Sequence, residues 1–340
     1  MINNILYSSC MASFDTSFCG TYSVAIRTLG TSGDKFVREL TSILNQTLPP
    51  EKVLVYIAEG YERPAFQVGK EEYVWVKKGM VSQRALPYTE IESEYILLLD
   101  DDVELQSNSV EKMLKVAEKE HADVVGADTF NNQDMSVKSK VFAVFSNWVC
   151  PHFGNKWAFK IHSHSGFSYL NNPTEDYYFS QSCAGPASLW RKDTLLKLHL
   201  EDETFLDRMG FPFGEDLLTF YKVYVNGYKM LIHYNSGIEH LDGKSSSSAY
   251  HSNVNKFYVR AKGSFILWWR VCYQTMKWKW LVALVFGMKL VWLFFVNCAA
   301  AVVMRNVKIP YLYIKGTVDA YKFVHSDEYK KVPLLNSYKK

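Results

Sequence analysis

Three consecutive carboxylates, Asp100, Asp101 and Asp102, follow directly on the apolar run Tyr95-Ile-Leu-Leu-Leu. Sheltered from water, three such groups repel one another, so their presence asks for a counter-charge. Oxygen ligands beside a strand end suit a hard divalent ion, Mg²⁺ or Mn²⁺, shared with phosphate oxygens. A solvated, inert acidic turn would read the same way. A second acidic pair, Glu215 and Asp216, stands in Phe211-Pro-Phe-Gly-Glu-Asp-Leu-Leu. Because Leu217, Leu218, Phe220, Tyr221 and Tyr224 follow it, Asp216 falls where a helix begins, a favourable place for an anion. It is either a helix cap or, if that helix end faces a cleft, a general base for an incoming hydroxyl. His240 follows an expected strand and a short turn and can add an imidazole nitrogen to an ion's coordination, although a lone histidine is usually structural. Arg84 and Lys78 precede the apolar run, where they can approach a phosphate from the opposite wall or remain ordinary surface charges. No His-Glu-x-x-His, Gly-x-Ser-x-Gly or Gly-Lys-Ser/Thr phosphate loop occurs, which excludes the common hydrolase and nucleotide-triphosphatase signatures.

Apolar periodicity supplies the elements that must hold these groups. Tyr22 to Thr28, Val53 to Ile57, Tyr73 to Val76, Tyr95 to Leu99 and Ala122 to Gly126 read as strands. Between them, Phe36 to Leu44 and Val110 to Ala117 have helical spacing, and Ser82 to Glu92 is expected to supply a further helix despite Pro87. The alternation predicts an α/β domain with a largely parallel sheet, whose ligands sit beyond the carboxyl ends of the strands, where Asp100 to Asp102 fall. Val141 to Leu189 lacks periodicity and reads as a loop-heavy wall. A helix from about Asp216 to Asn226, stopped by Gly227, and a strand from Lys229 to Tyr234 follow. Ser245 to Ser248 reads as a linker, and no internal repeat is found.

The 340 residues can bury a large core, and 48% hydrophobic with 21% charged residues excludes a disordered chain. Six scattered cysteines without a Cys-x-x-Cys pair argue against a disulfide framework or zinc knuckle and for a reducing compartment. Met1 to Cys10 has no basic flank and apolar core, so a signal peptide is not expected. The net charge of +3 hides an asymmetry: Gly243 to Val318 has eleven basic residues, no Asp or Glu, and five of the nine tryptophans. Basic residues interleaved with Trp and apolar runs suit an anionic membrane surface and not nucleic acid. Phe265 to Trp280 reads as an interfacial helix, and Trp280 to Met304, interrupted only by Lys289, is long enough to cross a bilayer. Because both flanks are basic, a monotopic or re-entrant arrangement at a cytoplasmic membrane face satisfies the charge rule better than one crossing. A helical pair buried in a soluble core or dimer interface is the remaining alternative.

Together these residues resemble the inverting family 2 glycosyltransferases, with their nucleotide-binding GT-A fold. Tyr22-Ser-Val-Ala-Ile-Arg-Thr looks like the family's first strand, Leu40-Thr-Ser-Ile-Leu-Asn-Gln-Thr-Leu-Pro its following helix and turn, and Leu97-Leu-Leu-Asp-Asp-Asp-Val its Asp-x-Asp site. Gly214-Glu-Asp-Leu resembles the late Glu-Asp motif, and Cys183-Ala-Gly-Pro-Ala-Ser-Leu-Trp-Arg-Lys stands where the family has a small-residue stretch beside the acceptor.

The resemblance implies donor-binding roles for Thr28, Glu59, Asp100 and Asp101, joined by Arg84. It implies Asp102 and His240 as metal ligands, Asp216 as general base, and acceptor-side places for Gly185, Trp190 and Glu215. Residues 1–242 would form the catalytic domain, with a donor half at about 20–130 and an acceptor half at about 131–242, and 243–340 a basic, Trp-rich helical region on the membrane. The implied reaction is metal-dependent, inverting transfer of one sugar from a nucleotide-diphospho-sugar to a glycan hydroxyl, with a polyprenyl-linked acceptor, in bacterial surface polysaccharide synthesis at the cytoplasmic face of the inner membrane. The sequence departs from the family at Glu59, where an aspartate is usual, and has no Gln-x-x-Arg-Trp motif of the processive synthases. Alternatives are a polyprenyl-phosphate sugar synthase, a non-catalytic glycan- or nucleotide-binding protein, and a nucleotidyltransferase. A homo-oligomer is compatible with the sequence, but nothing in it specifies one.

Overall fold

A computed structural model of the chain describes residues 20–129, 152, 154, 156–209, 214–241 and 254–340. Outside the described residues lie the serine linker at 245–248, Cys10, Cys19 and Cys150, the start of the middle segment at 141–151, and Phe211-Pro-Phe of the second acidic motif.

The core is an eight-stranded mixed sheet with the order β3-β2-β1-β4-β10-β6-β11-β9. Its first half is parallel, as the strand and helix alternation predicts: β3 (Glu71–Val76), β2 (Val53–Ala58), β1 (Tyr22–Thr28) and β4 (Tyr95–Asp100). β1, β2 and β4 are buried along almost their whole length, because both faces of the sheet are covered. In the second half, β10 (Ala187–Arg191) is inserted antiparallel between β4 and β6 (Val124–Ala127). β11 (Met230–His233) runs parallel to β6, and β9 (Tyr177–Phe179) closes that edge antiparallel. Two small ribbons complete the strands among the described residues: β5 (Val103–Leu105) with β12 (Ile238–His240), and β7 (Phe159–Ile161) with β8 (Phe167–Tyr169). The poorly periodic middle thus folds, over its described part, into short strands, one of which enters the centre of the sheet.

One face of the sheet packs under α1 (Asp34–Leu44) and α2 (Ser109–Lys119). Phe36, Leu40 and Ile43 of α1 and Val110, Met113 and Leu114 of α2 meet Val24, Ile26, Leu97 and Leu99 there. Each of these side chains contributes roughly 1.5–3 kcal/mol by leaving water. The other face holds α4 (Glu215–Val225) and, in the same apolar cluster, most of the C-terminal region. α3 (Lys192–Lys197) and a 3₁₀ segment, Leu200–Met209, lead toward it. Ser82 to Glu92 forms turns and no helix, because Pro87 has no N–H to give and pushes its predecessor out of the α region.

α5 (Lys256–Trp268) continues through a π-helical turn, Trp269–Tyr273, then α6 (Lys279–Val303) and α7 (Lys308–Val324). The interfacial helix expected at Phe265 to Trp280 is not what the chain builds. Phe265, Ile266, Leu267, Trp268, Val271 and Cys272 are buried in the core beneath the sheet, where their apolar area has more to gain than at a surface. Arg270, counted above among the membrane-facing charges, is fully buried and grips Glu203 through Nε at 3.0 Å and Nη2 at 2.6 Å. Lys289 also turns inward, donating to the His164 carbonyl at 3.0 Å with 6% of its surface exposed.

α6 is two-faced. Val282, Phe286 and Lys289 pack inward, with Phe286 stacked on Trp268 at 4.1 Å between ring centroids. Trp280, Leu284, Met288, Val291 and Phe295 point outward, and Trp280 is 65% exposed. α7 returns against α5: Gly316 approaches the Tyr258 carbonyl so closely that a Cβ would collide with it, and Tyr258 donates to Asp319 at 2.9 Å.

Candidate active site

The parallel pairing of β1 with β4 puts Arg27 directly beside Asp100. Arg27 forks onto the Asp100 carboxylate through Nε and Nη2, the latter at 2.9 Å, and its Nη1 donates to the Met80 carbonyl at 2.9 Å. Burial pushes Asp100 up, but the Arg27 and Arg84 guanidiniums outweigh it and hold the carboxyl down at about 2. Asp101 points elsewhere and accepts from the Thr28 hydroxyl. Burial raises its pKa, against the Ser32 and Thr28 hydrogen bonds and with the help of its two acidic neighbours. Asp102 takes a third direction. The β5–β12 ribbon sets His240 opposite Val103, which leaves its Nε2 3.1 Å from Asp102 Oδ1.

Asp100 also marks the junction with the other half of the sheet. Its N–H donates to the Pro186 carbonyl at 2.9 Å, which lays the Gly185–Pro186 corner at the head of β10 against the acidic strand end. Across that corner lies the start of α4. Gly214, at φ 89°, precedes the helix, and a Cβ there would strike Leu267 of α5. No side-chain cap bond closes this helix, so Asp216 is not its cap. Its carboxylate instead takes the Arg84 guanidinium on Oδ1 and the Gly185 N–H on Oδ2 at 3.2 Å. Glu215, one residue away, is buried. That burial, with the Asp216 charge, raises it to about 8 despite the Arg84 and Arg27 charges.

Arg84 therefore spans both acidic sites. Besides Asp216, its Nη2 reaches the Gly185 carbonyl at 2.9 Å and Asp100 Oδ1 at 3.4 Å. The backbone beneath it is held firmly. Asp207 accepts from the N–H groups of Val81 and Ser82, each at 2.9 Å, and from the Ser82 hydroxyl at 2.6 Å. Gln83 donates to the Thr28 carbonyl at 3.2 Å, and Tyr88 to the Arg84 carbonyl at 2.9 Å. Gly185 has to be glycine, since a Cβ would run into both the Asp216 carboxylate and the Arg84 guanidinium. A void of about 10 Å³, room for about one water, is lined by Arg27, Arg84, Asp100 and Gly185. A larger cavity of about 910 Å³ opens along the β5–β12 ribbon and the end of β11, lined by Glu104, Gln106, Asp176, His233 and Glu239 among others.

Of the residues singled out from sequence, the structure gathers Thr28, Arg84, Asp100, Asp101, Gly185, Glu215 and Asp216 around one corner, with Asp102 and His240 adjoining. Glu59 is exposed at the carboxyl end of β2. Lys78 is engaged with Tyr61, donating to its hydroxyl at 2.6 Å. Trp190 has no place on an acceptor wall. It is 1% exposed inside the core, donates to the Ser188 hydroxyl at 2.9 Å and packs on Phe220, because β10 carries it away from Gly185 into the sheet. Sequence reasoning missed Arg27, whose signal was a charge inside an otherwise apolar strand. It also missed Glu39 on α1, fully buried below the acidic triple, where burial and then the Asp101, Asp100 and Asp102 charges push its pKa well up.

Among the described residues no group of three His, Cys, Asp or Glu side chains forms a ready metal cage. Asp102 and His240 are a two-residue donor set, one oxygen and one imidazole nitrogen. That suits an ion which fills its remaining positions with water and ligand oxygens.

Residues 77–169, which include the acidic strand end and Arg84, match the profile of Glycosyl transferase family 2. No curated protein matches the chain. Among solved structures the fold is similar to S. aureus TarS 1-349 in complex with UDP-GlcNAc, at 13% identity and a TM-score of 0.48, over 89% of this chain and 81% of that one. It is also similar to the mannosyltransferase PcManGT from Pyrobaculum calidifontis in complex with GDP-Man and Mn²⁺, at 11% identity and a TM-score of 0.47, over 95% and 85%. The sheet and the acidic end of β4 are those of a GT-A type α/β fold, and the segment around that strand end carries the similarity to Glycosyl transferase family 2.

Proposed function

We propose that the protein transfers a single sugar from a nucleotide-diphospho-sugar to a hydroxyl of a lipid-linked glycan, with inversion at the anomeric carbon. The observation that carries this reading is the placement of the Asp100–Asp102 strand end one guanidinium away from Asp216. Arg27, Arg84, Asp100 and Thr28 line the donor's side, where the two guanidiniums offer charge-assisted hydrogen bonds to a diphosphate. Asp102 and His240 would hold Mg²⁺ or Mn²⁺, which supplies positive charge against the departing diphosphate. Asp216, reached from the Gly185 corner, takes the acceptor hydroxyl's proton. The freed oxygen bonds to the anomeric carbon as the bond to the diphosphate breaks on the opposite face. One displacement suffices, so no covalent enzyme intermediate is needed. Calorimetric titration with UDP and GDP, with and without chelator, tests the donor side. Asp102→Asn should lose the metal-dependent part of binding and about 10²-fold in turnover. Equal affinity with and without chelator would remove the metal from the reading.

The lipid-linked acceptor is supported by α6. Its inner face is packed on the catalytic body while Trp280, Leu284, Met288, Val291 and Phe295 form an apolar outer stripe. At about 1.5 Å per residue the helix could span a bilayer. Yet α7 begins five residues after α6 ends and returns at once to α5, and Tyr313 of α7 donates to the Leu290 carbonyl of α6 at 2.9 Å. This favours a monotopic seat on the cytoplasmic membrane face, with Lys277, Lys279, Arg305 and Lys308 beside anionic headgroups. Flotation with anionic liposomes tests it: Leu284→Ser with Phe295→Ser should leave the protein at the bottom of the gradient, and unchanged flotation would count against this face.

The ion pair on Asp216 favours a second reading, transfer to a lipid phosphate, whose acceptor oxygen is already ionised and needs no base.

A further inference from the structure

Among the described residues Arg84 is the side chain that touches both acidic sites, and both of its terminal nitrogens are engaged without any ligand. Nη1 is on Asp216, and Nη2 is shared between the Gly185 carbonyl and Asp100. Asp207, Gln83 and Tyr88 fix the turn that bears it, so the guanidinium can change partners only by rotating its own side chain. Asp100 does not depend on it, because Arg27 already forks onto that carboxylate. Asp216 does depend on it, since among the described residues its other bond comes from a neutral peptide N–H. A diphosphate arriving at the Asp100 strand end brings oxygens that compete for the same guanidinium, which is planar and presents paired donors suited to phosphate.

We propose that Arg84 is a counter-ion that Asp216 surrenders to the donor's diphosphate, so that donor binding is the event that frees Asp216 to receive the acceptor's proton. The proposal rests on the donor and base roles given under Proposed function. In the free protein Asp216 Oδ1 is covered by a cation and an approaching hydroxyl finds no acceptor there. Once the diphosphate draws Arg84 across, the carboxylate faces the acceptor beside the bond to be broken. Binding of donor before acceptor follows directly. It also follows that part of the diphosphate's affinity is spent on breaking an ion pair inside the protein.

That cost makes a prediction which a merely structural ion pair does not. Removing the charge of Asp216 releases Arg84 in advance, so Asp216→Asn should bind the nucleoside diphosphate more tightly than the wild type, by up to about 5-fold, for a partly exposed pair of the usual strength. The measurement is calorimetry of UDP and GDP with Mn²⁺ on the full chain. It compares wild type, Asp216→Asn, Arg84→Gln and the double variant, with thermal melts to confirm folding and Asp216→Ala standing in if the Asn variant does not fold. Arg84→Gln should weaken binding, and in its background Asp216→Asn should change nothing further. Equal or weaker binding by Asp216→Asn overturns the proposal. So does an equal gain with and without Arg84, which would mean simple removal of a repelling charge. Failure of the underlying reading looks different: neither nucleotide binds the wild type, or Asp216→Asn transfers sugar at the wild-type rate.

Discussion

The end of β4 and the start of α4 each present consecutive acids, and they dispose of them differently. At the strand end, Asp100, Asp101 and Asp102 diverge to three kinds of partner: two guanidiniums, a hydroxyl and an imidazole. At the helix start, Asp216 meets a cation while Glu215 is turned into the protein and favours its protonated form. Successive residues leaving a strand point to opposite sides, and successive residues on a helix are turned about 100° apart. A run of acids in sequence therefore need not aim its carboxylates at one partner. The strand end spreads its charges over three directions, whereas the helix start concentrates a single charge at one point.

If that contrast is right, the largest effect should come from the concentrated charge. Asp216→Asn should lower transfer to a hydroxyl acceptor by about 10²- to 10⁴-fold while the melting temperature stays near wild type, because the side chain caps no helix. Transfer at the wild-type rate would move the base elsewhere and raise the lipid-phosphate reading. Next in size is the corner between the two regions. Gly185→Ala should misplace Asp216 and Arg84 together and reduce turnover by about 10²-fold, the scale of an ångström's error in a reacting group. Retained turnover would show that the corner can yield without disturbing them.

The smallest effect separates Glu215 from its neighbour through pH. Its folded pKa, about 8, lies above the ordinary 4.5, so the neutral form is the one the fold prefers. Its contribution is complete below pH 4.5 and is lost as pH rises through 8. Glu215→Gln, which is neutral throughout, should therefore gain stability relative to wild type as pH rises across that window. Melting curves of both proteins between pH 5 and 8 would show the gap opening, and parallel curves would mean that Glu215 is ionised in the fold.

Much of this architecture is legible in the letters. β1 and β4 announce themselves as apolar runs, and the acids that end β4 mark the carboxyl edge of the sheet. β10 was harder to see, because Ala187–Arg191 is short and becomes a central strand only by inserting between partners remote in sequence. Trp190 was misplaced for the same reason: proximity to Gly185 along the chain says nothing about which layer a strand then enters. Arg27 and Glu39 were hidden because their meaning depends on register and burial, which pairwise spacing does not carry. In the C-terminal region the mixture of Trp, Lys and Arg reads alike from Phe265 to Phe295. Only the tertiary fold separates the buried Trp268 and Arg270 from the exposed stripe of α6.

Phe286 of the outer helix stacks on Trp268, and the neighbouring Leu267 lies against Gly214, two residues before the candidate base. Mass action then applies to the whole molecule. Anything that occupies the outer stripe of α6 in the folded protein only will stabilise the catalytic body by RT ln(1 + [L]/Kd), about 2.7 kcal/mol at a hundredfold excess over Kd. Detergent monomers and lipid vesicles would behave as stabilising ligands of the enzyme, and its melting temperature would climb with their concentration before any sugar is bound.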